Sequence, residues 1–123
     1  MENLCKIRDI YRSIIEFENH FQSQYNLGLN EGMLLCAVNK SQRCSSSEIA
    51  SMLGLTCSNT SKVIASAEKK GLLKRILGDS DKRQMYFTLT KKGNELLESM
   101  QNCKFRIPEL LKVILETAEF TYT

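Results

Sequence analysis

The sequence predicts a mainly α-helical fold that contains one two-stranded hairpin. Three observations carry this prediction: helical apolar spacing recurs along most of the chain, two helices are separated by a very short turn at Gly54, and a segment after Gly71 alternates apolar and polar residues. A chain of 123 residues with 42% hydrophobic and 25% charged residues can bury one modest core. We therefore expect residues 1–123 to form a single domain.

The N-terminal part predicts two helices. Residues 2–25 place apolar side chains at helical spacing without any Gly or Pro, so they are expected to form one long amphipathic helix. The segment 26–30, Asn-Leu-Gly-Leu-Asn, interrupts this pattern. Asn30 is a favourable N-cap residue and is expected to cap a second helix over residues 31–39. Cys36 lies on this second helix and is predicted to be part of the core.

The next two helices carry local start and stop signals. Ser45 and Glu48 have the spacing of a capping box, and Gly54 suits a left-handed C-terminal stop. Thr56 then caps a fourth helix that is expected to end at Gly71. Two helices joined by such a short glycine-containing turn form a helix-turn-helix.

The fourth helix has two unlike faces. At about 100° per residue, one side collects small or apolar side chains, namely Thr60, Val63, Ile64 and Ala67. The opposite side is mostly short and polar with one cation in its middle, and it consists of Ser58, Asn59, Lys62, Ala65, Ser66 and Lys69. Short donors and acceptors suit close approach to base edges and phosphates, whereas a helix that needs only solubility more often carries Glu and Lys pairs.

Two strand-like segments follow, at residues 72–77 and 83–90, and the intervening Gly-Asp-Ser-Asp-Lys makes them a hairpin. The alternating apolar residues expected to anchor this hairpin on the core are Met85, Phe87 and Leu89. The tip then projects Lys82 and Arg83, and an arginine in that place can enter a narrow minor groove. We expect Asp81 to hold the Arg83 guanidinium by a charge-assisted contact.

Two more helices complete the chain. Thr90 is expected to cap a fifth helix that runs to about Cys103, and Pro108 is expected to open a last helix that runs to about Glu119. The apolar residues of the last helix span about 200°, which is wider than the arc one core contact requires. This excess predicts that the last helix, together with the long first helix, forms a homodimer interface.

The predicted fold class is therefore mainly α, a winged helix-turn-helix with a three-helix core plus a two-stranded β-wing. We assign residues 29–93 to the DNA-binding part and residues 1–28 and 94–123 to the dimerisation helices. Charge agrees with this division, because residues 54–93 carry nine basic and three acidic residues whereas the rest of the chain is acidic overall. Such an asymmetry favours a polyanionic partner, although a solvated lysine-rich surface gives the same pattern.

Residues 29–97 resemble the MarR-type transcriptional regulators. The most specific piece is Asp81-Lys82-Arg83 followed by TLTKKG, which is similar to the wing of that family, and SSSEIASMLGLTCSNTSKVIASAEKKGLLKR is similar to its helix pair. The resemblance implies a homodimer that binds a pseudo-palindromic double-stranded DNA operator and usually represses transcription. It also implies release by a small aromatic molecule or an oxidant. The chain departs from the family in its short C-terminal region and in Cys57, where the family often has a basic residue.

The predicted DNA contacts divide by groove. Phosphate contacts are expected from Ser45 and Thr56, and the residues expected along the major groove are Ser58, Asn59, Ser61, Lys62 and Ser66. The wing would contribute Asp81, Lys82 and Arg83. The alternative function is a winged-helix module whose basic face docks an acidic protein, since fold alone does not decide function.

Two further site hypotheses have simpler alternatives. The aromatic residues Tyr11, Phe21 and Tyr25 are candidates for a ligand pocket, but aromatic residues at helical spacing are more often packing. Cys5 and Cys57 are candidate redox sensors, and Cys57 lies at a helix N-terminus where the macrodipole can lower a thiol pKa. If they sense oxidants, mild oxidation should release DNA. Ordinary reduced thiols are the simpler alternative.

Several classes of protein find no support in the sequence. His20 is the only histidine and no metal-ligand spacing occurs, so neither a metal nor another cofactor is expected. No arrangement typical of an enzyme occurs. The odd cysteine count without a CxxC pair favours free thiols, and the absence of a long apolar run or secretory signal favours a cytoplasmic protein without a membrane partner.

Overall fold

The structure is a computed structural model that describes residues 2–78, 83–102 and 106–117. In these ranges the elements are, in chain order, α1 (Glu2–Tyr25), α2 (Leu29–Ser41), α3 (Ser46–Leu53), α4 (Cys57–Lys69), β1 (Leu73–Leu77), β2 (Met85–Leu89), α5 (Lys91–Asn102) and α6 (Glu109–Thr117). The mainly helical fold with one hairpin is thereby confirmed. None of the helices in the described ranges combines the length and the apolar content needed to cross a bilayer.

The described residues belong to two compact units. The first unit spans residues 1–28 and 105–123 and contains α1 and α6, which contact each other. The second unit spans residues 29–104 and contains α2 to α5 with the hairpin. Helix α5 thus packs with the winged helix, where it contacts α2 and β2.

The core of the second unit forms where the apolar stripes of its helices meet the hairpin. Its buried residues are Leu34, Leu35 and Val38 of α2, Ile49 of α3, Ile64 and Ala67 of α4, Leu73, Phe87 and Leu89 of the strands, and Leu97 and Met100 of α5. The helical members recur at spacings of three and four residues, which is the period that directs side chains to one face.

Apart from Asn30, the predicted helix caps of the second unit are present. The Ser45 hydroxyl accepts from the Glu48 amide at 3.2 Å, and the Glu48 carboxylate accepts from the Ser45 amide at 3.1 Å. Gly54 ends α3 with a left-handed φ of 67°. The Thr90 hydroxyl accepts from the Gly93 amide at 3.0 Å and starts α5. These caps could be predicted from the sequence because each involves groups only a few residues apart.

The hairpin is antiparallel, with Leu73 opposite Leu89 and Leu77 opposite Met85. Phe87 and Leu89 are buried as predicted, but Met85 is 37% exposed and does not anchor the hairpin. Its cross-strand partner Leu77 is 56% exposed. Both lie at the end of the ladder nearest the turn, away from the buried pair Leu73 and Leu89.

Two predictions for α2 are wrong. The helix begins at Leu29, so Asn30 lies inside it and does not cap it. Cys36 is exposed and is not part of the core. The helical period explains the second error, because Cys36 points away from the stripe formed by Leu34 and Val38.

Candidate nucleic-acid interface

The start of α4 is held by two threonines. The Thr56 hydroxyl accepts from the Asn59 amide at 3.1 Å, which satisfies one of the unpaired donors of the first turn. Thr60 is buried, and its hydroxyl donates to the Thr56 carbonyl at 2.7 Å. The N-terminal turns of α4 therefore have a defined geometry before any partner binds.

The two faces of α4 are arranged largely as predicted. Thr60, Ile64 and Ala67 are buried, and Val63 is half-buried. The exposed residues of the opposite side are Ser58, Asn59, Ser61, Lys62, Ala65 and Lys69. The Ser61 hydroxyl donates to the Cys57 carbonyl at 3.0 Å, so its remaining hydrogen-bonding capacity is as an acceptor. A short polar surface with a central lysine thus projects from the first two turns.

Ser66 does not belong to this exposed surface. It is half-buried, and its hydroxyl donates to Glu31 Oε2 of α2 at 3.1 Å. The prediction that it lies on the outer face is therefore wrong. The angular position of a residue around one helix does not show where a neighbouring helix packs, and α2 contacts α4 on the side that carries Ser66. Sequence reasoning also missed Glu31, although its spacing to Leu34 and Leu35 places it on the buried stripe of α2.

The C-terminal end of α4 is joined to β1 and to α5. Glu68 accepts two hydrogen bonds from the Arg75 guanidinium, at 2.8 and 3.0 Å, and this contact raises the pKa of Arg75 further above its usual range. Lys92 of α5 donates to the Lys70 carbonyl at 3.0 Å. The Thr90 hydroxyl donates to the Gly71 carbonyl at 2.6 Å. One end of the helix is fastened to its neighbours while the polar first turns are exposed.

The basic residues of segment 54–93 are not equivalent. Among the described residues, ion pairs join Lys70 to Glu31, Arg75 to Glu68 and Lys91 to Glu95. Within the described ranges, Lys62, Lys69 and Lys74 form no ion pair and are exposed. Because uncompensated surface cations contribute most to the external field, these three mark the part of the unit that is most attractive to a polyanion.

Two cations lie at the wing. Arg83 was predicted there, and Arg43, which precedes α3, was not. Arg83 is exposed and lies two residues before β2, whereas Asp81 and Lys82 lie outside the described residues. Arg43 lies over the Tyr86 ring, with its guanidinium carbon 4.5 Å from the centroid. Nothing in the local sequence pairs Arg43 with the wing, because 43 positions separate it from Tyr86.

The two predicted phosphate contacts both lie at helix starts. Ser45 is half-buried at the N-cap of α3, and Thr56 is exposed at the N-cap of α4. Each hydroxyl oxygen accepts one amide hydrogen bond, which leaves its own O–H available as a donor. Donors at a helix N-terminus suit an anion.

The candidate ligand residues are only partly brought together in the first unit. Phe21 is buried and its ring centroid lies 5.2 Å from that of Tyr25, while Phe17 lies 6.2 Å from Phe21. Tyr11 is 64% exposed. A separate cleft of about 650 Å³ in this unit is lined by none of the three predicted residues, and its lining consists of Asp9, Arg12, Ser13, Ile15, Glu16, Asn19 and Leu110.

The candidate redox residues are both accessible. Cys5 is exposed on α1, and Cys57 is exposed as the first residue of α4. Cys44 is buried, and burial raises the pKa of its thiol. Among the residues described, no group of three or more His, Cys, Asp or Glu side chains is placed to hold a metal ion.

One family model and several solved structures are similar to this chain. The sequence profile of the MarR family matches residues 27–85, while no curated protein matches the chain. The transcriptional regulator BldR from Sulfolobus solfataricus is 28% identical, with a TM-score of 0.72 over 96% of this chain and 83% of its own. The MepR–DNA complex from S. aureus is 22% identical, with a TM-score of 0.63 over 77% and 78% of the two chains. BpsR of Bordetella bronchiseptica, whose DNA binding is regulated by 6-hydroxynicotinic acid, is 23% identical, with a TM-score of 0.66 over 76% and 69%.

Proposed function

We propose that this chain, a member of the MarR family of winged helix-turn-helix proteins, is a sequence-specific DNA-binding regulator of transcription that acts as a homodimeric repressor on a pseudo-palindromic operator. The observation that carries the proposal is the surface of α4, whose first two turns expose short polar side chains and Lys62. The second helix of a helix-turn-helix enters the major groove with its N-terminal residues toward the base edges. We assign it the same role here.

The exposed residues of α4 divide by what they can offer DNA. Asn59 has a side-chain amide that can pair with an adenine edge, and Lys62 can donate to guanine acceptors or to phosphate. Ser58 and Ser61 are short enough to allow the helix to approach closely. Thr56 and Ser45 are proposed to donate to phosphates from the two helix starts.

The wing supplies the second part of the proposed contact. Arg83 is exposed beside the turn of the hairpin, and an arginine in a narrow minor groove benefits from its enhanced negative potential. Asp81 keeps its predicted role of holding the Arg83 guanidinium, and Lys82 stays a predicted member of the DNA contact made by the wing. Lys69 and Lys74 add positive charge on the same unit and support binding through counterion release.

The homodimer is supported by the apolar surface of the first unit. Helix α1 exposes Leu4, Ile7, Tyr11, Ile14 and Ile15, and α6 exposes Leu110, Val113 and Leu115. Such a contiguous apolar surface marks an interaction site in a water-soluble chain. A two-fold dimer would present two copies of α4 to operator half-sites one helical turn apart.

A small aromatic effector remains part of the proposal. Its support is the regulation of BpsR by 6-hydroxynicotinic acid and the neighbouring rings of Phe21 and Tyr25 in α1. An effector that binds one conformation of the dimer better than another would shift the population away from the DNA-binding state. We also propose that the protein acts in the cytoplasm, because its proposed partner is a DNA operator.

In vitro selection from a random duplex library tests the proposed function. We expect enriched sequences with two inverted half-sites, and we expect the double variant Asn59→Ala with Lys62→Ala to enrich none of them. Asn94→Ala with Lys91→Ala is the matched control, since it makes the same chemical changes at exposed positions of α5. The alternative hypothesis is that the basic face docks an acidic protein. It would be favoured if, at near-physiological salt, binding depended on neither the length nor the sequence of the DNA.

A further inference from the structure

We infer that Glu31 is a positioning residue for the DNA-reading helix, and this inference rests on the proposed function of α4. Glu31 is a carboxylate on α2 with only 8% of its surface exposed. Its Oε2 accepts from the Ser66 hydroxyl at 3.1 Å, and its Oε1 accepts from the Lys70 ammonium at 2.9 Å. One buried group thus contacts α4 and its C-cap at two points.

The spacing of the two donors explains why this contact can set the position of α4. Ser66 and Lys70 are four residues apart and therefore lie one above the other on the same face of the helix. Each oxygen of Glu31 is engaged by one of them. If α4 slid by one residue it would also turn by about 100°, and both hydrogen bonds would be lost together.

Apolar packing between α2 and α4 provides less of this constraint. The two helices contact each other, and their buried apolar side chains include Leu34, Leu35, Ile64 and Ala67. Burial of apolar surface is non-directional, so small rotations and shifts change its free energy little. A hydrogen-bonded ion pair depends steeply on distance and angle, and buried ionic groups contribute more to a unique arrangement than to stability in some proteins.

The functional consequence concerns specificity. Base-edge contacts require each donor and acceptor of α4 to lie at a defined place in the groove, whereas phosphate contacts tolerate small displacements. Loosening the Glu31 contact should therefore weaken binding to the operator more than binding to random DNA. Loss of stability alone would lower both affinities together.

The variant Glu31→Gln tests this inference, because it keeps the shape of the side chain and removes its charge. Glu98→Gln is the matched control: Glu98 is exposed on α5 and forms no ion pair in the described ranges, and its substitution raises the net charge equally. Relative to this control, we expect Glu31→Gln to bind the selected operator about tenfold more weakly, the size of one charge-assisted hydrogen bond. Affinity for a random duplex of the same length should be equal for the two variants.

Amide hydrogen exchange in the free protein supplies a readout that does not need DNA. We expect faster exchange along α4 in Glu31→Gln and unchanged exchange in Glu98→Gln. Equal operator affinities with unchanged exchange would overturn the inference, and so would an equal loss on operator and random DNA. If the unsubstituted protein prefers no duplex, the proposed function fails and hydrogen exchange alone decides the role of Glu31. Should Glu31→Gln not fold, Ser66→Ala removes one of the two donors and is expected to act in the same direction.

Discussion

At the scale of single residues, the environment of a side chain decides its role more than its type does. Thr56 and Thr60 are four residues apart in one helix, yet Thr56 is exposed and caps the first turn while Thr60 is buried against the core. The serines of α4 divide in the same way. Ser58 is exposed, and Ser66 donates to the buried Glu31. Only the exposed members of each pair are available to DNA.

Arg83 carries the residue-scale prediction for DNA binding. Arg83→Ala should weaken operator binding by about 1 to 3 kcal/mol and lower the salt slope by about one, since one cation leaves the minor groove. Fluorescence anisotropy titrations at several salt concentrations measure both quantities. Arg106→Ala, at an exposed position of the first unit, is the control and should change neither. An Arg83→Ala variant with the affinity and salt slope of the unsubstituted protein would exclude the proposed role.

The cysteines should differ in reactivity according to their burial. Cys44 is fully buried and its pKa is raised, so at a given pH it has little thiolate and no access to reagents. At neutral pH we expect Cys5 and Cys57 to be alkylated roughly a hundredfold or more faster than Cys44. Site-resolved mass spectrometry measures these rates. In denaturant the difference should vanish, and a Cys44 as reactive as Cys57 in the native protein would contradict the packing described here.

At the scale of the elements, close approaches between backbones decide where the strands and helices meet. Gly93 in the first turn of α5 lies against the start of β1, where an added Cβ would stand 2.2 Å from the Leu72 carbonyl oxygen. The Leu72 carbonyl also accepts from the Thr90 amide at 3.1 Å. Helix α5 can therefore pack on the hairpin only if residue 93 has no side chain.

Two glycine substitutions distinguish the loss of stability caused by a steric clash from the loss caused by backbone strain. Gly93→Ala should destabilise the protein by about 3 kcal/mol, because a clash with backbone cannot be relieved by a rotamer change. Gly54→Ala should cost only about 1 kcal/mol, since its φ of 67° is strained for alanine but no atom of the described residues lies within 4 Å of the added Cβ. Chemical denaturation measures both values. A smaller loss for Gly93→Ala than for Gly54→Ala would contradict the described packing of α5.

At the scale of the whole molecule, the two compact units differ in how much of their apolar surface they bury. The second unit buries apolar residues from all four of its helices and from the hairpin. In the first unit, none of the described residues of α6 is buried, and α1 exposes a stripe of apolar side chains. The second unit has its own core, whereas the terminal helices leave apolar side chains exposed, which is the reason that we propose them as the dimer interface.

The proposed homodimer predicts that the protein has the mass of two chains in solution. Ile7 is 60% exposed in the apolar stripe of α1, so Ile7→Lys should place a charge in the interface, yield monomers and weaken operator binding. Light scattering at micromolar concentration measures the mass. Ser23→Lys adds the same charge at an exposed position on another side of α1 and should leave the dimer intact. A monomeric mass for the unsubstituted protein would refute the dimer.

The sequence by itself determined the helix caps at Ser45, Gly54, Thr56 and Thr90, the short turn between α3 and α4, and the hairpin, because capping boxes, left-handed glycines and alternating strands involve neighbouring residues. The tertiary structure alone decided that Ser66 faces Glu31 rather than DNA, that Met85 lies beyond the core and that Arg43 covers Tyr86. Each of these depends on residues 35 or more positions apart or on how far neighbouring elements extend. Local hydrogen bonds can be predicted from spacing, but burial is set by whatever the fold brings to the other side.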